Sequence, residues 1–575
     1  MALSLDLKTL RAAYVQGRLT PRQLVAQLDQ RWQQVDDPAI YLHRLCAEEL
    51  EPYLQRLEQQ SPVDLPLYGI PFAIKDNIDL AGVPTTASCA DYRYVPEESA
   101  HVVQRLIDLG ALPLGKTNLD QFATGLVGVR SPFGVPRNAY SAEHIPGGSS
   151  SGSAAAVAQG LASFSLGTDT AGSGRVPAAF NHLYGVKPTR GLLSALGVVP
   201  ACRSLDCVSI FALNAADSRT LLELTADYDP KDAYARPARS NAFPQRPTPV
   251  IGIVAPEQCK FFGNAEYERL YRETLARLEA QGVQTHVVDF EPFAEAARLL
   301  YEGPWVSERY CAIQELIERN TDALHPVTRK IIGGGANLKA TDLFKSLYRL
   351  EALKREVERV WRSVDALLTP TAGTIYTRAE VEADPVQTNS NLGFYTNFMN
   401  LLDCCALAAP AGFTEQGLPF GVTLVGPAFS DRRLLDLCAQ LPLEPETTQP
   451  IVVCGAHLQG LPLNWQLTEL GATLQEATRT APVYRAYALP GSIAKPGIVR
   501  VPEGGAALDV EVWDLPKRHW GTFAAQISPP LGLGWVELAD GRRELGFLCE
   551  SIATTAAKDI TANGGWRAYL QATQS

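Results

Sequence analysis

A lysine and two serines have the residue types and the spacing for nucleophilic chemistry. Lys75 ends an apolar run, where its ammonium would be poorly solvated and its pKa would fall. Ser149 lies in a glycine- and serine-rich stretch that opens a predicted helix, and Ser173 lies in a second glycine-rich loop. A neutral lysine can accept the proton of a serine hydroxyl, and backbone N–H groups in such loops can stabilise an oxyanion. The pattern indicates attack of a serine on a carbonyl group.

A different motif is the stretch Gly110–Thr117, which satisfies the phosphate-binding pattern GxxxxGK[ST]. In nucleotide-binding proteins this loop runs from a strand into a helix, so that N–H groups at the helix start face the phosphates. Here the predicted order is reversed, because a helix over His101–Leu109 precedes a strand around Leu112. A P-loop nucleotide-binding protein is therefore kept only as the alternative from another functional class.

The stretch Gly148–Gly152 also satisfies GxSxG, the pattern of a nucleophile elbow, with Ser150 at its centre. An elbow needs an acid and a histidine downstream, and His286 and His457 are candidates for the histidine. An elbow also follows directly on a buried apolar strand, whereas Glu143–Gly147 is not apolar. The elbow is therefore the weaker interpretation of this stretch.

Several stretches accompany the lysine and the serines in a fixed order. Lys75 and Ser149 are 74 positions apart, and Ser149 and Ser173 are 24 apart. The other stretches are Gly115–Asn118, Leu368–Thr371, Pro410–Gly412 and Gly417–Gly421. With these features the chain resembles the amidase signature family over about residues 60–430.

This resemblance implies a Ser-cisSer-Lys triad. Ser173 is the expected nucleophile and Lys75 the base, while Ser149, which follows a cis peptide bond in the family, passes the proton between them. To accept a proton Lys75 must be neutral, so burial must lower its pKa from near 10.4 to roughly 7–8. The family therefore supplies a role for each of the three side chains.

The resemblance also implies residues around the triad. The oxyanion hole is expected from the backbone N–H groups of Thr170, Ala171 and Gly172, together with that of Ser173. Ser150 is expected to support the network. No metal ion and no organic cofactor are expected.

Three further stretches make the chain similar to one group of amidases, the allophanate hydrolases. They are Gly167–Arg175, Leu300–Arg309 and Gly455–Asn464. The likeness implies hydrolysis of the terminal amide of allophanate (urea-1-carboxylate) through an acyl-enzyme. The expected products are ammonia and N-carboxycarbamate, which decarboxylates, and the expected setting is urea or s-triazine nitrogen catabolism.

Allophanate is small and carries a carboxylate, so its pocket needs a fixed cation. The resemblance places Arg309 and Tyr301 at the substrate, where a guanidinium can bind the carboxylate with two hydrogen bonds. The alternative from the residues alone is a surface ion pair of Arg309 with Glu308 or Glu302, beside a packed tyrosine.

Two other amidase activities stay open. One is hydrolysis of another small amide, of the biuret or malonamate type, and the other is an amidotransferase subunit that acts on glutamine. The segment with Tyr301 and Arg309 counts against both, as does the trailing domain. Ser151 and Ala171 stand where many relatives have glycine, a departure that affects the shape of the pocket more than its chemistry.

The elements that must position these residues alternate between helices and short strands. Helices are predicted over 1–60, 101–109, 153–160, 264–281 and 432–440, and strands over 68–75, 111–115, 162–167, 250–254 and 283–289. This alternation predicts an α/β fold with a mixed sheet covered by helices. The amidase domain is expected over 1–442.

A proline- and glutamate-rich stretch, 443–450, is predicted as a linker. Beyond it, 451–575 has short strands and turn signals, which predict a smaller β-rich domain. This domain resembles a γ-glutamylcyclotransferase-like barrel. His457 and Glu511 are the polar groups expected to assist the decarboxylation, and the alternative is a domain for assembly or partner binding.

Composition limits the partners. Among the 575 residues, 62 acids and 51 bases give a formal charge of −11, which disfavours nucleic acid and anionic membranes as partners. The 11 cysteines show no CxxC spacing, which argues against disulfide and zinc frameworks and favours a reducing compartment. Without a signal sequence or an apolar span, a cytoplasmic protein is expected. The resemblance implies a homodimer and suggests association with a urea carboxylase.

Overall fold

The computed structural model describes residues 4–239, 243, 246–490, 494–555 and 557–574. The chain divides into two compact units, Met1–Glu444 and Pro445–Ser575. A strand begins at Thr448, so the end of the stretch that we predicted as a linker, 443–450, belongs to that strand. The first predicted domain begins at residue 1 and the second ends at residue 575, and residues 1–3 and 575 lie outside the described residues.

The first unit is built on one large sheet. Its strands are β1 (Tyr41–Arg44), β2 (Pro71–Lys75), β3 (Leu112–Thr117), β4 (Phe164–Asp169), β5 (Tyr184–Lys187), β6 (Cys207–Ala212), β7 (Val250–Val254), β8 (Gln284–Val288), β9 (Ala366–Pro370), β10 (Cys404–Phe413) and β11 (Pro419–Pro427). Within the described residues these eleven strands lie in the order β1-β3-β2-β4-β6-β5-β10-β11-β9-β7-β8.

The directions of the strands make this sheet mixed. β2 runs parallel to β3 and β4, and β7 runs parallel to β8 and β9. The other neighbours pair antiparallel. Every residue of β2, β3 and β4 is buried, as expected for strands with both faces covered. The predicted mixed α/β fold is confirmed.

Helices connect most of these strands. They are α1 (Leu7–Val15), α2 (Pro21–Val35), α3 (Ala47–Glu58), α4 (His101–Asp108), α5 (Ser151–Ala158), α6 (Val176–Phe180), α7 (Ala215–Thr225), α8 (Ala265–Ala280), α9 (Glu291–Glu302), α10 (Trp305–Ala312), α11 (Gln314–Arg319), α12 (Pro326–Gly333), α13 (Ala340–Trp361), α14 (Arg378–Ala383), α15 (Gln387–Leu392), α16 (Phe398–Leu401) and α17 (Asp431–Gln440). In the part of the chain that the structure describes, no helix combines the length and the apolar character needed to cross a membrane.

The N-terminal segment 1–60 holds three helices and one strand. α2 begins at Pro21, behind a capping box in which Thr20 and Gln23 each bind the other's backbone N–H. β1 lies between α2 and α3 and pairs antiparallel with β3 at the edge of the sheet. Our purely helical prediction for this segment is therefore wrong at β1.

The stretch Gly110–Thr117 does not have the geometry of a phosphate-binding loop. α4 ends at Asp108, and most of the motif lies inside the buried strand β3. Lys116 Nζ lies 3.2 Å from Asp76 Oδ1 and donates to Thr85 Oγ1 at 2.8 Å, so this ammonium group is already bound by protein side chains. The nucleotide-binding alternative is therefore wrong on structural grounds.

Three parallel strands end at one edge of the sheet, and this edge positions the candidate site. β2 ends at Lys75, β3 at Thr117 and β4 at Asp169. The carboxyl ends of parallel strands are the usual place for a site in an open α/β sheet. α5, which begins at Ser151, packs on the same three strands, so the residues that precede it are brought to this edge.

The second unit is rich in strands. They are β12 (Thr448–Val453), β13 (Thr473–Arg479), β14 (Tyr484–Leu489), β15 (Lys495–Arg500), β16 (Asp509–Pro516), β17 (Leu531–Glu537), β18 (Arg543–Cys549) and β19 (Lys558–Asp559). Its described residues form the sheets β13-β16-β12-β18-β17 and β15-β14-β19, with helices α18 (Trp465–Thr468), α19 (Trp520–Ala524) and α20 (Trp566–Gln574). The predicted β-rich domain is confirmed, and the likeness to γ-glutamylcyclotransferases stays a prediction.

Candidate active site

Lys75 lies at the centre of the site, with its side chain fully buried at the end of β2. Its Nζ lies 2.8 Å from Ser149 Oγ and 2.8 Å from Thr168 Oγ1. A neutral amine has one lone pair and two N–H groups, so Lys75 can accept the Ser149 hydroxyl proton while it donates to Thr168. The contacts fit the role of a base.

Burial lowers the pKa of Lys75 to about 7. The nearby carboxylates of Asp120, Asp169 and Asp206 oppose this lowering, and the Arg309 guanidinium adds to it. A large fraction of Lys75 is therefore neutral near pH 7, as a general base requires. The value agrees with the fall to roughly 7–8 that the triad mechanism needs.

Ser149 is held by a loop, which we call the 120–128 loop. The Gly148–Ser149 peptide bond is cis. Asp120 N donates to Ser149 O at 3.0 Å, and Gly148 N donates to Leu126 O at 2.8 Å. A Cβ atom at Gly148 would lie 2.2 Å from Asp120 Oδ2, so the close packing of loop and serine requires glycine.

Ser173 contacts the same loop. Its side chain is buried, and its Oγ lies 3.5 Å from Gly125 O. Because the 120–128 loop binds Ser149 as well, it brings both serines to the end of β2. Lys75 and the two serines therefore share one neighbourhood.

Asp169 shapes the glycine-rich loop that follows β4. Its Oδ1 accepts from Gly172 N and its Oδ2 from Gly174 N, both at 2.9 Å. Arg175 binds the two carboxylate oxygens at 2.8 Å, and both side chains are fully buried. Burial opposes ionisation of Asp169, but Arg175 outweighs it and holds the pKa of this carboxyl below its usual value. The ion pair braces the loop.

These contacts correct one part of the predicted oxyanion hole. The Gly172 N–H is not available, because it donates to Asp169. Over the described ranges, the N–H groups of Thr170, Ala171 and Ser173 donate to no protein acceptor. These three groups remain free to bind an oxyanion.

Ser150 supports the site from the start of α5. Its hydroxyl donates to Thr168 O at 3.2 Å and so ties the helix to β4. The elbow interpretation does not fit, because the residues directly before Gly148 form no strand. His286 lies exposed on β8, whereas Ser150 is buried, and His457 belongs to the second unit, where its ring stacks on Phe547.

Tyr301 and Arg309 meet where α9 is followed by α10. Arg309 is only 1% exposed; its Nη2 donates to Tyr301 Oη at 3.3 Å, and its Nη1 donates to Thr124 Oγ1 at 3.1 Å. The guanidinium carbon lies 5.3 Å from the centre of the Tyr301 ring. Thr124 belongs to the 120–128 loop, so Arg309 borders on the loop that holds both serines.

Arg309 is a buried cation with no anionic partner in the described part of the chain. Among the described residues no carboxylate lies within ion-pair distance of it, and its Nε has no hydrogen-bond partner. Glu308 instead accepts from Ser204 N at 2.7 Å and from Ser204 Oγ at 2.8 Å. The alternative of a surface ion pair is therefore wrong. Such a buried unpaired charge is costly, and an anionic ligand would offset the cost.

Sequence reasoning missed Thr168 and the 120–128 loop. Thr168 accepts from Lys75 and from Asn77 Nδ2, the latter at 3.3 Å. Its signal was present, because it directly follows the predicted strand 162–167 and lies in the glycine-rich stretch that carries Ser173. The loop carries no such signal, since its role depends on contacts with residues distant in the sequence.

In the second unit, His457 lines a cavity of about 210 Å³ together with Lys495 and several apolar residues. Its Nε2 lies 2.8 Å from Gln466 Oε1, and its ring stacks on Phe547 at 4.9 Å between centres. Burial lowers the pKa of His457. The imidazole is therefore mainly neutral at neutral pH.

Glu511 does not share this cavity. Its carboxylate accepts from Gln459 N at 2.7 Å, from Trp513 Nε1 at 3.0 Å and from Arg567 Nη2 at 2.8 Å. These contacts occupy the carboxylate with structural hydrogen bonds. His457 and Glu511 therefore line different cavities, and their part in the decarboxylation stays a prediction.

Comparisons with known proteins cover both units. The amidase family matches residues 23–435, and the family described as allophanate hydrolase C-terminal domain matches residues 449–571. The urea amidolyase of Saccharomyces cerevisiae is 42% identical over 96% of this chain and 32% of that protein. A glutamyl-tRNA(Gln) amidotransferase subunit from Trichormus variabilis is 33% identical over 68% of this chain and 90% of that protein. The chain thus spans about a third of the urea amidolyases it matches.

Solved structures also match this chain over nearly its whole length. Kluyveromyces lactis allophanate hydrolase matches with a TM-score of 0.72 at 40% identity, over 99% of both chains. The structure of K. lactis urea amidolyase gives a TM-score of 0.72 at 40% identity, over all of this chain and 37% of that one. The chain therefore belongs to the amidase family and carries an allophanate hydrolase C-terminal domain.

Proposed function

We propose that this chain hydrolyses the terminal amide of allophanate, with Ser173 as nucleophile, Ser149 as proton bridge and Lys75 as base. The observation that carries the substrate is Arg309, a buried guanidinium with no carboxylate partner among the described residues. It borders on the same loop as Ser149 and Ser173. A small amide with a carboxylate at its other end fits a site with these two features.

Arg309 and Tyr301 bind the substrate carboxylate in this proposal. A bidentate guanidinium fixes the position and the orientation of a planar carboxylate. The other end of allophanate then lies toward Ser173, with its carbonyl oxygen at the free N–H groups of Thr170 and Ala171. Because both ends are fixed, attack becomes effectively unimolecular.

Acylation begins when Ser173 Oγ attacks the carbonyl carbon of the terminal amide. The Ser173 proton passes to Ser149, and the Ser149 proton passes to Lys75. The N–H groups of the oxyanion hole stabilise the negative charge that develops on the carbonyl oxygen. When the C–N bond breaks, the nitrogen takes a proton back through Ser149 and leaves as ammonia, with the acyl group on Ser173.

Deacylation repeats these steps with water. Neutral Lys75 accepts a proton from water through Ser149, and the hydroxide equivalent attacks the acyl carbonyl. The C–O bond to Ser173 breaks, the serine recovers its proton, and N-carboxycarbamate is released. Loss of carbon dioxide from this product gives carbamate, which breaks down to ammonia and carbon dioxide.

The test is ammonia release from allophanate by the wild type and by Ser173→Ala. We expect the variant to lose at least about 10³-fold in kcat, because no other group replaces the nucleophile. Ser151→Ala is the matched control, since the Ser151 hydroxyl is buried nearby but has no hydrogen-bond partner in the described structure. Wild-type turnover by Ser173→Ala would reject the proposal.

Substrate choice is tested with the same assay on biuret, malonamate and glutamine. We expect the highest kcat/KM for allophanate, because it combines a terminal amide with a carboxylate for Arg309. A preference for biuret or malonamate would assign a different small-amide hydrolase. A preference for glutamine would assign an amidotransferase subunit.

For the second unit, we propose that His457 assists the decarboxylation of N-carboxycarbamate. The cavity beside His457 also contains Lys495, so it offers an ammonium that can bind a small dianion and deliver a proton to its nitrogen, next to a neutral imidazole that can hold the substrate by a hydrogen bond. In His457→Ala, N-carboxycarbamate formed from ¹³C-allophanate should persist longer in NMR spectra, while the first ammonia appears at the wild-type rate. An unchanged lifetime would favour a role in assembly.

The partners follow from the proposed substrate. Carboxylation of urea is one reaction that supplies allophanate, and for this setting we propose association with a urea carboxylase, either as a separate protein or as a further part of a longer chain. We also propose a homodimer in the cytoplasm. Light scattering of the purified protein tests the dimer, and co-purification with a urea carboxylase tests the association.

A further inference from the structure

Asp206 is a largely buried acid that the proposed mechanism does not use. It directly precedes β6, whose first residue, Cys207, pairs with Asp169 at the end of β4. This register places Asp206 beside Thr170, and Thr170 Oγ1 donates to Asp206 Oδ1 at 2.5 Å. The acid is therefore linked directly to the loop that carries the free N–H groups.

The hydrogen-bond donors to Asp206 that the described residues supply are neutral. Besides the Thr170 hydroxyl, they are Ala201 N, which donates to Oδ2 at 2.8 Å, and Cys202 N, which donates to Oδ1 at 3.2 Å. In the described part of the chain, no cation makes a contact ion pair with this carboxylate. Asp206 thus resembles Arg309, which is also charged and unpaired, but it has the opposite sign.

The positive charge of Arg309 favours the ionised form of Asp206, and the two charges act in opposite directions on the pKa of Lys75. The charges that face Lys75 are the carboxylates of Asp120, Asp169 and Asp206, which favour its protonated form, and Arg309, which disfavours it. Asp169 is neutralised by its own arginine, and Asp120 is bound by backbone N–H groups. Asp206 alone among the three acids is hydrogen-bonded to a residue of the proposed oxyanion hole.

One side of Asp206 faces a cavity of about 170 Å³. The other charged groups that line it are Arg203, Lys231 and Asp232. Arg203 and Lys231 are exposed, so the cavity lies at the surface and gives Asp206 access to solvent. Burial raises the pKa of Asp206 to about 6, which leaves it an anion at neutral pH.

We propose that Asp206 is a positioning residue of the amidase site, whose carboxylate holds Thr170 and balances the charge of Arg309 until the substrate carboxylate binds. This inference rests on the proposed function, since it assigns the free N–H groups and Arg309 to catalysis and binding. Removal of the Asp206 charge should lower the pKa of Lys75, because one anion that favours the protonated amine is lost. Removal of the hydrogen bond alone should leave this pKa unchanged.

The test measures how fast a fluorophosphonate labels Ser173 between about pH 5 and 9, since labelling requires neutral Lys75 but not allophanate. For Asp206→Asn, we expect the pH at half-maximal labelling to fall by about one unit. For Thr170→Val, we expect that pH to stay at the wild-type value while the maximal rate falls about tenfold. Asp232→Asn, the control in the same cavity, should match the wild type.

A wild-type pH midpoint in Asp206→Asn would overturn the proposal, and so would an equal shift in Asp232→Asn. Thermal unfolding checks that each variant is folded, and Asp206→Ser is interpreted in the same way if the asparagine variant does not fold. If only the proposed substrate is wrong, the result is different. The wild-type protein then does not hydrolyse allophanate, but Ser173 is still labelled and Asp206→Asn still shows the expected pH shift.

Discussion

Lys75 differs from the other buried lysine near this edge of the sheet. Lys116 is equally buried and burial lowers its pKa as well, but it has Asp76 within 3.2 Å, and this carboxylate opposes the lowering by favouring the charged form. Among the described residues, Lys75 instead has only the hydroxyls of Ser149 and Thr168 in hydrogen-bond contact. Burial therefore acts on Lys75 without a contact ion pair to oppose it, which is why this residue can be the base.

Arg309 gives a prediction about binding. In Arg309→Leu, the KM for allophanate should rise by about 100-fold, because two charge-assisted hydrogen bonds to the carboxylate are lost. The KM for biuret, which has no carboxylate, should change much less. Steady-state kinetics on both substrates make the check, and an unchanged KM for allophanate would show that Arg309 does not bind it.

The residues of the proposed triad could be selected from the sequence because glycine, serine and lysine motifs remain visible there. The direction in which a single N–H group points could not be predicted. Gly172 looked equivalent to its neighbours, but the buried carboxylate of Asp169 accepts its N–H. Asp206 was missed for a similar reason, because its contact with Thr170 depends on the register of β6 against β4.

At the scale of elements, hydrophobic periodicity predicted a part of the helices and strands of the first unit, among them β2, β3, β4 and α5 at the candidate site. The strand Val250–Val254 has the predicted bounds, and α8 begins and ends within one residue of the prediction. β1 was missed because it has four residues at the edge of the sheet, with only Tyr41 fully buried. A strand this short lacks the alternation that distinguishes it from the helices on either side.

The packing of the 120–128 loop against the start of α5 gives a second prediction. In Gly148→Ala, the new Cβ would lie 2.2 Å from Asp120 Oδ2 and 2.5 Å from Gly128 N, so the loop must move. We expect kcat for allophanate to fall by about 100-fold, since small displacements of catalytic groups have effects of this size.

The control for this variant is Gly334→Ala, where an added Cβ meets no atom within 4 Å and the backbone is helical. This substitution should leave kcat unchanged. Ammonia release and thermal unfolding are measured on both proteins. Full activity of Gly148→Ala would mean that the contact between loop and helix does not position Ser149.

At the scale of the whole molecule, a neutral base has a cost in stability. The folded state holds Lys75 with a pKa of about 7 against an ordinary value of 10.5, so between these values the unfolded chain binds more protons. The contribution of Lys75 to the free energy of unfolding therefore rises with pH between these two values and is lowest below pH 7. The full cost is on the order of 5 kcal/mol.

Lys75→Met should therefore stabilise the protein while it abolishes activity. The substitution also removes the two hydrogen bonds of Lys75, which offsets part of the gain. We therefore expect the midpoint of thermal unfolding at pH 7.5 to rise by about 1 to 3 °C. Lys116→Met is the matched control and should lower the midpoint, because it leaves Asp76 buried without its cation. A lower midpoint for Lys75→Met would contradict the cost assigned to this lysine.

The most direct measurement of the central claim is the pH dependence of kcat/KM for allophanate in the wild type, with Lys75→Ala measured beside it. Because only the neutral amine accepts a proton, the wild-type value should fall as the pH drops below about 7. Lys75→Ala should lose at least about 10³-fold at every pH. A wild-type profile that is flat between about pH 5.5 and 8.5, or near-normal turnover by Lys75→Ala, would contradict the role of a buried neutral lysine.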